Sequence, residues 1–119
     1  MNWIAVFIGG GLGSLARYAI ALGIRPLALN FPYATLIANV LASIILGLVV
    51  MNASKFTGQH QFWFLLLSVG FCGGFSTFST FSLETAMLLK SEMWLMGILN
   101  ILVSALLCVF VLWIFVKQA

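Results

Sequence analysis

Charged side chains are scarce in this sequence, which has five Lys or Arg and two Asp or Glu among 119 residues. Because a soluble domain usually carries about 25% charged residues, the 6% found here excludes an ordinary soluble fold. Two Cys without a Cys-x-x-Cys pattern and one His offer no metal cluster. No Ser-His-Asp, Cys-His or paired-carboxylate set exists either. We therefore expect neither an enzyme nor a nucleic-acid partner.

Apolar residues dominate instead, at 64% of the chain, with a mean hydropathy of +1.23. A membrane-spanning helix needs about 20 mostly apolar residues. Four runs have that length, and they cover residues 3–23, 33–51, 62–89 and 94–116. The sequence therefore predicts an all-α, multi-pass integral membrane protein in which residues 1–119 form a single four-helix domain in the lipid bilayer. Because the N-terminus lacks a basic region, we expect no cleaved signal peptide.

The third run is longer than one span requires. From Phe62 to Leu89 it would form a helix of about 42 Å, against a hydrocarbon core of about 30 Å. It contains "GFCGGFSTFSTFS" at residues 70–82, where we expect the glycines to break the helix at mid-membrane. Non-helical backbone at that depth must be buried in protein or line a wet cavity, so an ion or substrate site is predicted. The alternative is close helix packing, with the hydroxyls bonded to their own helix.

Two stripes with a period of three follow the predicted break, one of Phe at 75, 78 and 81 and one of Ser at 76, 79 and 82. Phenyl rings have a positive edge that can face an anion, although an aromatic stripe is more often packing. The other polar groups inside the runs are mostly neutral donors or cations: Arg17, Asn39, Asn100 and Ser104. This balance favours an anionic ligand.

Two ionisable residues lie within the runs, and each has two interpretations. Arg17 lies in a watery vestibule or extends its side chain to a membrane interface. Glu84 pairs with a cation or reaches an interface.

The distribution of Lys and Arg gives almost no orientation signal. If the N-terminus and the second loop share a side, that side carries Lys55 and Lys117, and the other carries Arg25, Lys90 and, if it is interfacial, Arg17. Since the bias that fixes membrane orientation is nearly absent, the chain is expected to insert both ways. Two opposite copies can then form an antiparallel, dual-topology homodimer.

Three motifs, in this order, resemble the CrcB/Fluc fluoride channel family: "GGGLGSLARY" near the start, "ATLIANVLAS" in the second run and "GFCGGFSTFSTFS" in the third. The likeness covers nearly the whole chain. It implies a dual-topology homodimer in the bacterial cytoplasmic (inner) membrane, with two pores. Such a dimer would export fluoride passively and relieve fluoride toxicity.

The resemblance also implies roles for residues in the second and third runs. Phe78 and Phe81 correspond to pore-lining phenylalanines, and Asn39 to a pore asparagine. Ser79 and Thr80 resemble the hydroxyls of the third helix. Fluoride is strongly hydrated, so such donors would replace its water at several weak sites.

Further assignments follow from the same resemblance. The carbonyls of Gly73 and Ser76 correspond to ligands of a structural sodium ion at the dimer centre. Asn100 and Ser104 stand on one face of the fourth run, where the family has a polar track. Cys108 continues that face, and its thiol is a weaker donor than the hydroxyl expected there.

Two other functions remain possible from the sequence. A small multidrug-type exporter also has four short helices, but it depends on an acid in its first helix, where this chain has only Arg17. A non-transporting membrane assembly subunit would use the hydroxyls only for helix packing.

Overall fold

The computed structural model describes residues 1–119, which form six α-helices and no strand. The helices are α1 (Asn2–Ile24), α2 (Tyr33–Met51), α3 (Gln61–Phe64), α4 (Cys72–Phe75), α5 (Phe78–Lys90) and α6 (Trp94–Gln118). A π-helical segment, Leu65–Phe71, joins α3 to α4. Short 3-10 turns follow α1 and precede α3.

Four stretches are long and apolar enough to cross a membrane: Asn2–Leu27, Tyr33–Met51, Gly58–Lys90 and Trp94–Gln118. The third stretch contains α3, the π-helical segment, α4 and α5. The predicted all-α architecture with four membrane-spanning stretches is therefore confirmed.

Small residues allow these helices to approach closely. The first helix packs along the π-helical segment and α4, while α2 packs mainly on α6. The best-buried cluster consists of Ala38 and Ala42 of α2 against Phe75 of α4. Most large apolar side chains point outward instead, as expected for a chain surrounded by lipid or by another apolar surface.

The glycines of α1 and of the third stretch lie against each other. A Cβ atom on Gly13 would overlap the carbonyl oxygen of Phe71 and lie 2.7 Å from the Phe75 nitrogen. From the opposite side, a Cβ on Gly70 would lie 2.9 Å from the Cα of Gly9. These positions have no room for a side chain because backbone meets backbone.

The third stretch is interrupted, but the glycines do not interrupt it. Gly70 lies in the π-helical segment, and Gly73 and Gly74 lie within α4. The helical path ends after Phe75, so the expectation that the glycines break the helix was wrong. Gly70 and Gly74 instead permit the close approach to α1, whereas a Cβ on Gly73 would meet nothing within 4 Å.

Ser76 and Thr77 form the interruption. Both have extended backbones, with ψ angles of 156° and 126°. The N–H and hydroxyl of Ser76 both donate to the Cys72 carbonyl, at 2.9 and 2.7 Å, which completes the end of α4. The hydroxyl of Thr77 accepts from the Thr80 N–H at 3.2 Å and caps the start of α5. Hydroxyl side chains therefore stabilise both helix ends at the break.

A tight turn joins α5 to α6. The N–H of Met93 donates to the Leu88 carbonyl at 3.0 Å and that of Glu92 to the Leu89 carbonyl at 3.1 Å, with Glu92 at a φ of 61°. This is the Schellman arrangement that ends a helix with a left-handed residue. The turn folds α6 back along α5, so Thr85, seven residues before Glu92, and Asn100, eight residues after it, face each other.

Gly13→Ala is expected to lower the thermal midpoint of the purified protein in detergent. The added methyl overlaps the backbone of Phe71, and forced overpacking of this kind costs about 1–3 kcal/mol. Gly11→Ala on the same helix is the matched control, because its Cβ would meet nothing within 4 Å and it gains the same helix propensity. Equal midpoints for the two variants would contradict the close packing.

Candidate functional site

At the break the backbone of Thr77 has no helical hydrogen-bond partners, and the side chain of Asn39 replaces them. The N–H of Thr77 donates to Oδ1 of Asn39 at 2.7 Å, and Nδ2 of Asn39 donates to the Thr77 carbonyl at 3.2 Å. Asn39 thus pairs with both backbone groups of the same residue, as a neighbouring strand would. A carboxamide is suited to this task because it carries a donor and an acceptor side by side.

The amide of Asn39 is positioned by α2. This residue adjoins the buried face of the helix that includes Ala38 and Ala42, and it is itself half-buried. The hydroxyl of Ser43 donates to the backbone carbonyl of Asn39 at 2.9 Å. Nδ2 has two hydrogens, and the bond to Thr77 uses one of them.

A cavity of about 290 Å³ opens beside the break. Nine residues from three elements and the break line it: Asn39, Ser43, Ser76, Thr77, Phe78, Phe81, Ser104, Ala105 and Cys108. No acidic or basic residue is among them. The polar lining consists of amide, hydroxyl and thiol groups, and two phenyl rings complete the wall.

The two rings at the cavity lie one helical turn apart on α5. The centroids of Phe78 and Phe81 are 5.6 Å apart, with an angle of 39° between the ring planes. Phe78 is 79% exposed in the single chain, whereas Phe81 is half-buried. An exposed ring beside polar groups is placed to contact a ligand or a second surface.

Some of the site residues predicted from the sequence line the cavity, and others lie behind its wall. Asn39, Phe78, Phe81 and Ser104 line the cavity, as does Cys108.

Two predicted pathway residues lie instead at the start of α5. The hydroxyls of Ser79 and Thr80 lie 3.2 Å from the Thr77 hydroxyl and form a cluster with it, outside the cavity lining.

Asn100 lies behind the cavity wall and is 1% exposed. Its Nδ2 donates to the Thr85 hydroxyl at 2.9 Å, and its Oδ1 accepts from the Ser104 hydroxyl at 3.2 Å. The Thr85 hydroxyl in turn donates to the Phe81 carbonyl at 2.8 Å. This chain of hydrogen bonds ties α6 to α5 behind the cavity.

The break also releases backbone carbonyls. Those of Gly73 and Ser76 accept no hydrogen bond from this chain. Gly73 is exposed and Ser76 is half-buried, so their oxygens lie near the surface of the single chain. Unpaired carbonyl oxygens suit a hard cation such as sodium, which the resemblance predicts here.

A third released carbonyl is paired through a long-range contact. Nε of Arg17 donates to the Gly74 carbonyl at 3.2 Å. The end of a helix carries partial negative charge, which a guanidinium complements. Arg17 therefore lies against the break.

Glu84 lies on α5 beside a second cavity of about 270 Å³. Its Oε1 accepts from the Thr35 hydroxyl at 2.8 Å, whereas its buried Oε2 has no partner in this chain. The loop of Leu29, Asn30, Phe31 and Pro32 forms much of the remaining wall. The first and second cavities share no lining residue.

Sequence reasoning missed several polar residues that the structure brings to the site. Thr77 forms the break, Ser43 lines the first cavity, Thr85 joins the chain through Asn100, and Thr35 binds Glu84. One signal for Thr77 was available, because Thr is among the residues preferred at a helix N-cap. The others depend on partners far away in the sequence.

The family model described as CrcB-like protein, Camphor Resistance (CrcB) matches residues 4–116. The chain is 44% identical over 101 residues to the "Fluoride-specific ion channel FluC" of Serratia proteamaculans, covering 85% of this chain and 80% of that protein. The proteins of the same name from Escherichia fergusonii and Salmonella arizonae are 43% and 41% identical over 103 residues, covering 87% of this chain and 81% of each relative. The chain therefore belongs to the CrcB-like family.

Proposed function

We propose that this chain forms a passive, fluoride-selective channel that exports fluoride from the cell and relieves fluoride toxicity. The observation that carries the proposal is the cavity beside the break, where neutral donors face two phenyl rings and no carboxylate is present. Relatives above 40% identity bear the name of a fluoride-specific ion channel, which agrees with this chemistry.

The donors in the cavity would replace the hydrogen bonds that fluoride loses when it leaves water. The second hydrogen of the Asn39 amide and the hydroxyl of Ser104 are within reach of an ion in the cavity. Phe78 and Phe81 would add positive ring edges. The hydroxyls of Ser79 and Thr80 would donate hydrogen bonds to an ion that passes the start of α5. Several weak sites in succession allow the ion to leave as well as enter.

A second copy in the opposite orientation completes the proposed channel. The single chain leaves Phe78 exposed and the carbonyls of Gly73 and Ser76 unpaired. If the break lies at mid-membrane, lipid cannot satisfy these carbonyls, because unpaired polar backbone in hydrocarbon costs several kcal/mol. The antiparallel, dual-topology homodimer in the bacterial inner membrane would cover this surface.

A structural sodium ion is the proposed partner of the unpaired carbonyls. The carbonyl oxygens of Gly73 and Ser76 from both copies would bind the ion. The ion would hold the two broken helices together at the dimer centre. Because Arg17 donates to the neighbouring Gly74 carbonyl and not to those of Gly73 and Ser76, the last two oxygens would be free to bind the ion.

The transport function is tested by anion efflux from liposomes that contain the purified protein. Vesicles are loaded with fluoride or chloride, an ionophore dissipates the voltage, and an ion-selective electrode records release. We expect rapid fluoride release and negligible chloride release. No release of either ion from a folded dimer would favour an assembly subunit, and uptake of a cationic drug driven by a proton gradient would favour an exporter.

Phe78→Ile and Phe81→Ile are each expected to reduce fluoride efflux by about tenfold while leaving a folded dimer. Each change keeps apolar bulk but removes the positive ring edge, and a tenfold change corresponds to about 1.4 kcal/mol. Phe7→Ile is the matched control, since Phe7 is 81% exposed and lines neither cavity. Wild-type flux in both Phe78 and Phe81 variants would remove these rings from the pathway.

The sodium site is tested by long dialysis into buffer in which N-methyl-D-glucamine replaces sodium. We expect a lower thermal midpoint and loss of dimer on size-exclusion chromatography, both restored by adding sodium, because a ligand that binds only the folded dimer stabilises it. A dimer with unchanged midpoint and unchanged flux in sodium-free buffer would exclude Gly73 and Ser76 as sodium ligands.

A further inference from the structure

The hydrogen bonds behind the cavity all run in one direction. The Ser104 hydroxyl donates to Asn100, the Asn100 amide donates to Thr85, and the Thr85 hydroxyl donates to the Phe81 carbonyl. The hydrogen bond from Thr85 to the Phe81 carbonyl fixes the direction of the other two. Because the Thr85 proton is held by the Phe81 carbonyl, Thr85 meets Asn100 as an acceptor. The Nδ2 of Asn100 must then face Thr85, and its Oδ1 must face Ser104.

This direction decides what Ser104 offers to the cavity. Ser104 lines the cavity, but its one hydroxyl proton points away from it, toward Oδ1 of Asn100. The group therefore presents oxygen lone pairs to an approaching ion, which repel an anion. To donate to fluoride, the hydroxyl must rotate about its Cβ–Oγ bond and leave Asn100.

The rotation leaves Oδ1 of Asn100 without a partner. Asn100 is 1% exposed and Ser104 is 6% exposed, so water does not readily replace the lost donor. An unpaired buried acceptor is unfavourable, and the loss of one such hydrogen bond corresponds to about a tenfold change in affinity. Fluoride at Ser104 thus binds more weakly than it would to a free hydroxyl.

We propose that Asn100 is a positioning residue that competes with fluoride for the Ser104 hydroxyl proton and so keeps the anion weakly held. This inference rests on the proposed channel function. Asn100 acts through Ser104 and does not touch the ion. The proton turns to fluoride as the ion arrives and returns to Asn100 as the ion leaves, without any covalent step. Weak binding of this kind is what a multi-site pathway needs for rapid exit.

The test measures initial fluoride efflux against fluoride concentration for wild type, Asn100→Leu, Ser104→Ala and the double variant. Leu has the same number of side-chain heavy atoms as Asn and the same branching at Cγ, but it accepts no hydrogen bond. We expect Asn100→Leu to lower the half-saturating fluoride concentration about tenfold and to lower the maximal rate, because the ion leaves more slowly. In the Ser104→Ala background the same change is expected to have no effect on half-saturation.

A purely structural role for Asn100 predicts a different pattern. Loss of the α5–α6 contact would reduce flux in both backgrounds and leave the half-saturating concentration unchanged or raised, and either result overturns the proposal while the channel function stands. If Asn100→Leu does not assemble, Asn100→Leu with Thr85→Val removes the polar contact on both helices and is measured in the same way. A wild-type protein without fluoride flux would overturn the channel function and this proposal together.

Discussion

The structure depends on how an interrupted helix pairs the backbone groups that it releases in apolar surroundings. A continuous helix satisfies them internally, and the extended backbone of Ser76 and Thr77 cannot. Asn39 takes both groups of Thr77, and Arg17 takes the carbonyl of Gly74. Two side chains from other helices therefore hold the break in place beside the cavity.

Close packing of backbone on backbone brings these partners within reach. The glycines of α1 and of the third stretch leave no room for side chains at their contacts. At that separation the guanidinium of Arg17, one turn beyond Gly13, reaches the end of α4. The π-helical segment, an irregularity often found near functional sites, lies on the same contact. Packing and polar pairing at the break thus depend on each other.

The hydroxyls near the cavity divide into two groups. Those of Ser43, Ser76 and Thr85 donate to carbonyls four residues earlier in the chain, as the packing alternative requires. The hydroxyls of Ser104 and Thr77 donate to side chains instead, and in the proposed channel the Ser104 proton changes partner. Within the hydroxyl-rich motif, the packing alternative therefore describes Ser76. An anion path needs only a few hydroxyls that can change hydrogen-bond partner, while the neighbouring hydroxyls keep theirs.

The sequence by itself determined the four membrane-spanning stretches, the unusual third one and the family, because hydropathy and motif order are properties of neighbouring residues. It identified Asn39, Phe78, Phe81 and Ser104, which do line one cavity. Only the tertiary structure decided that the break follows Phe75, that Asn100 lies behind the wall and that Arg17 faces Gly74. These outcomes depend on hydrogen bonds across 38, 15 and 57 residues of chain, and such partners are chosen by packing geometry, which no local pattern encodes.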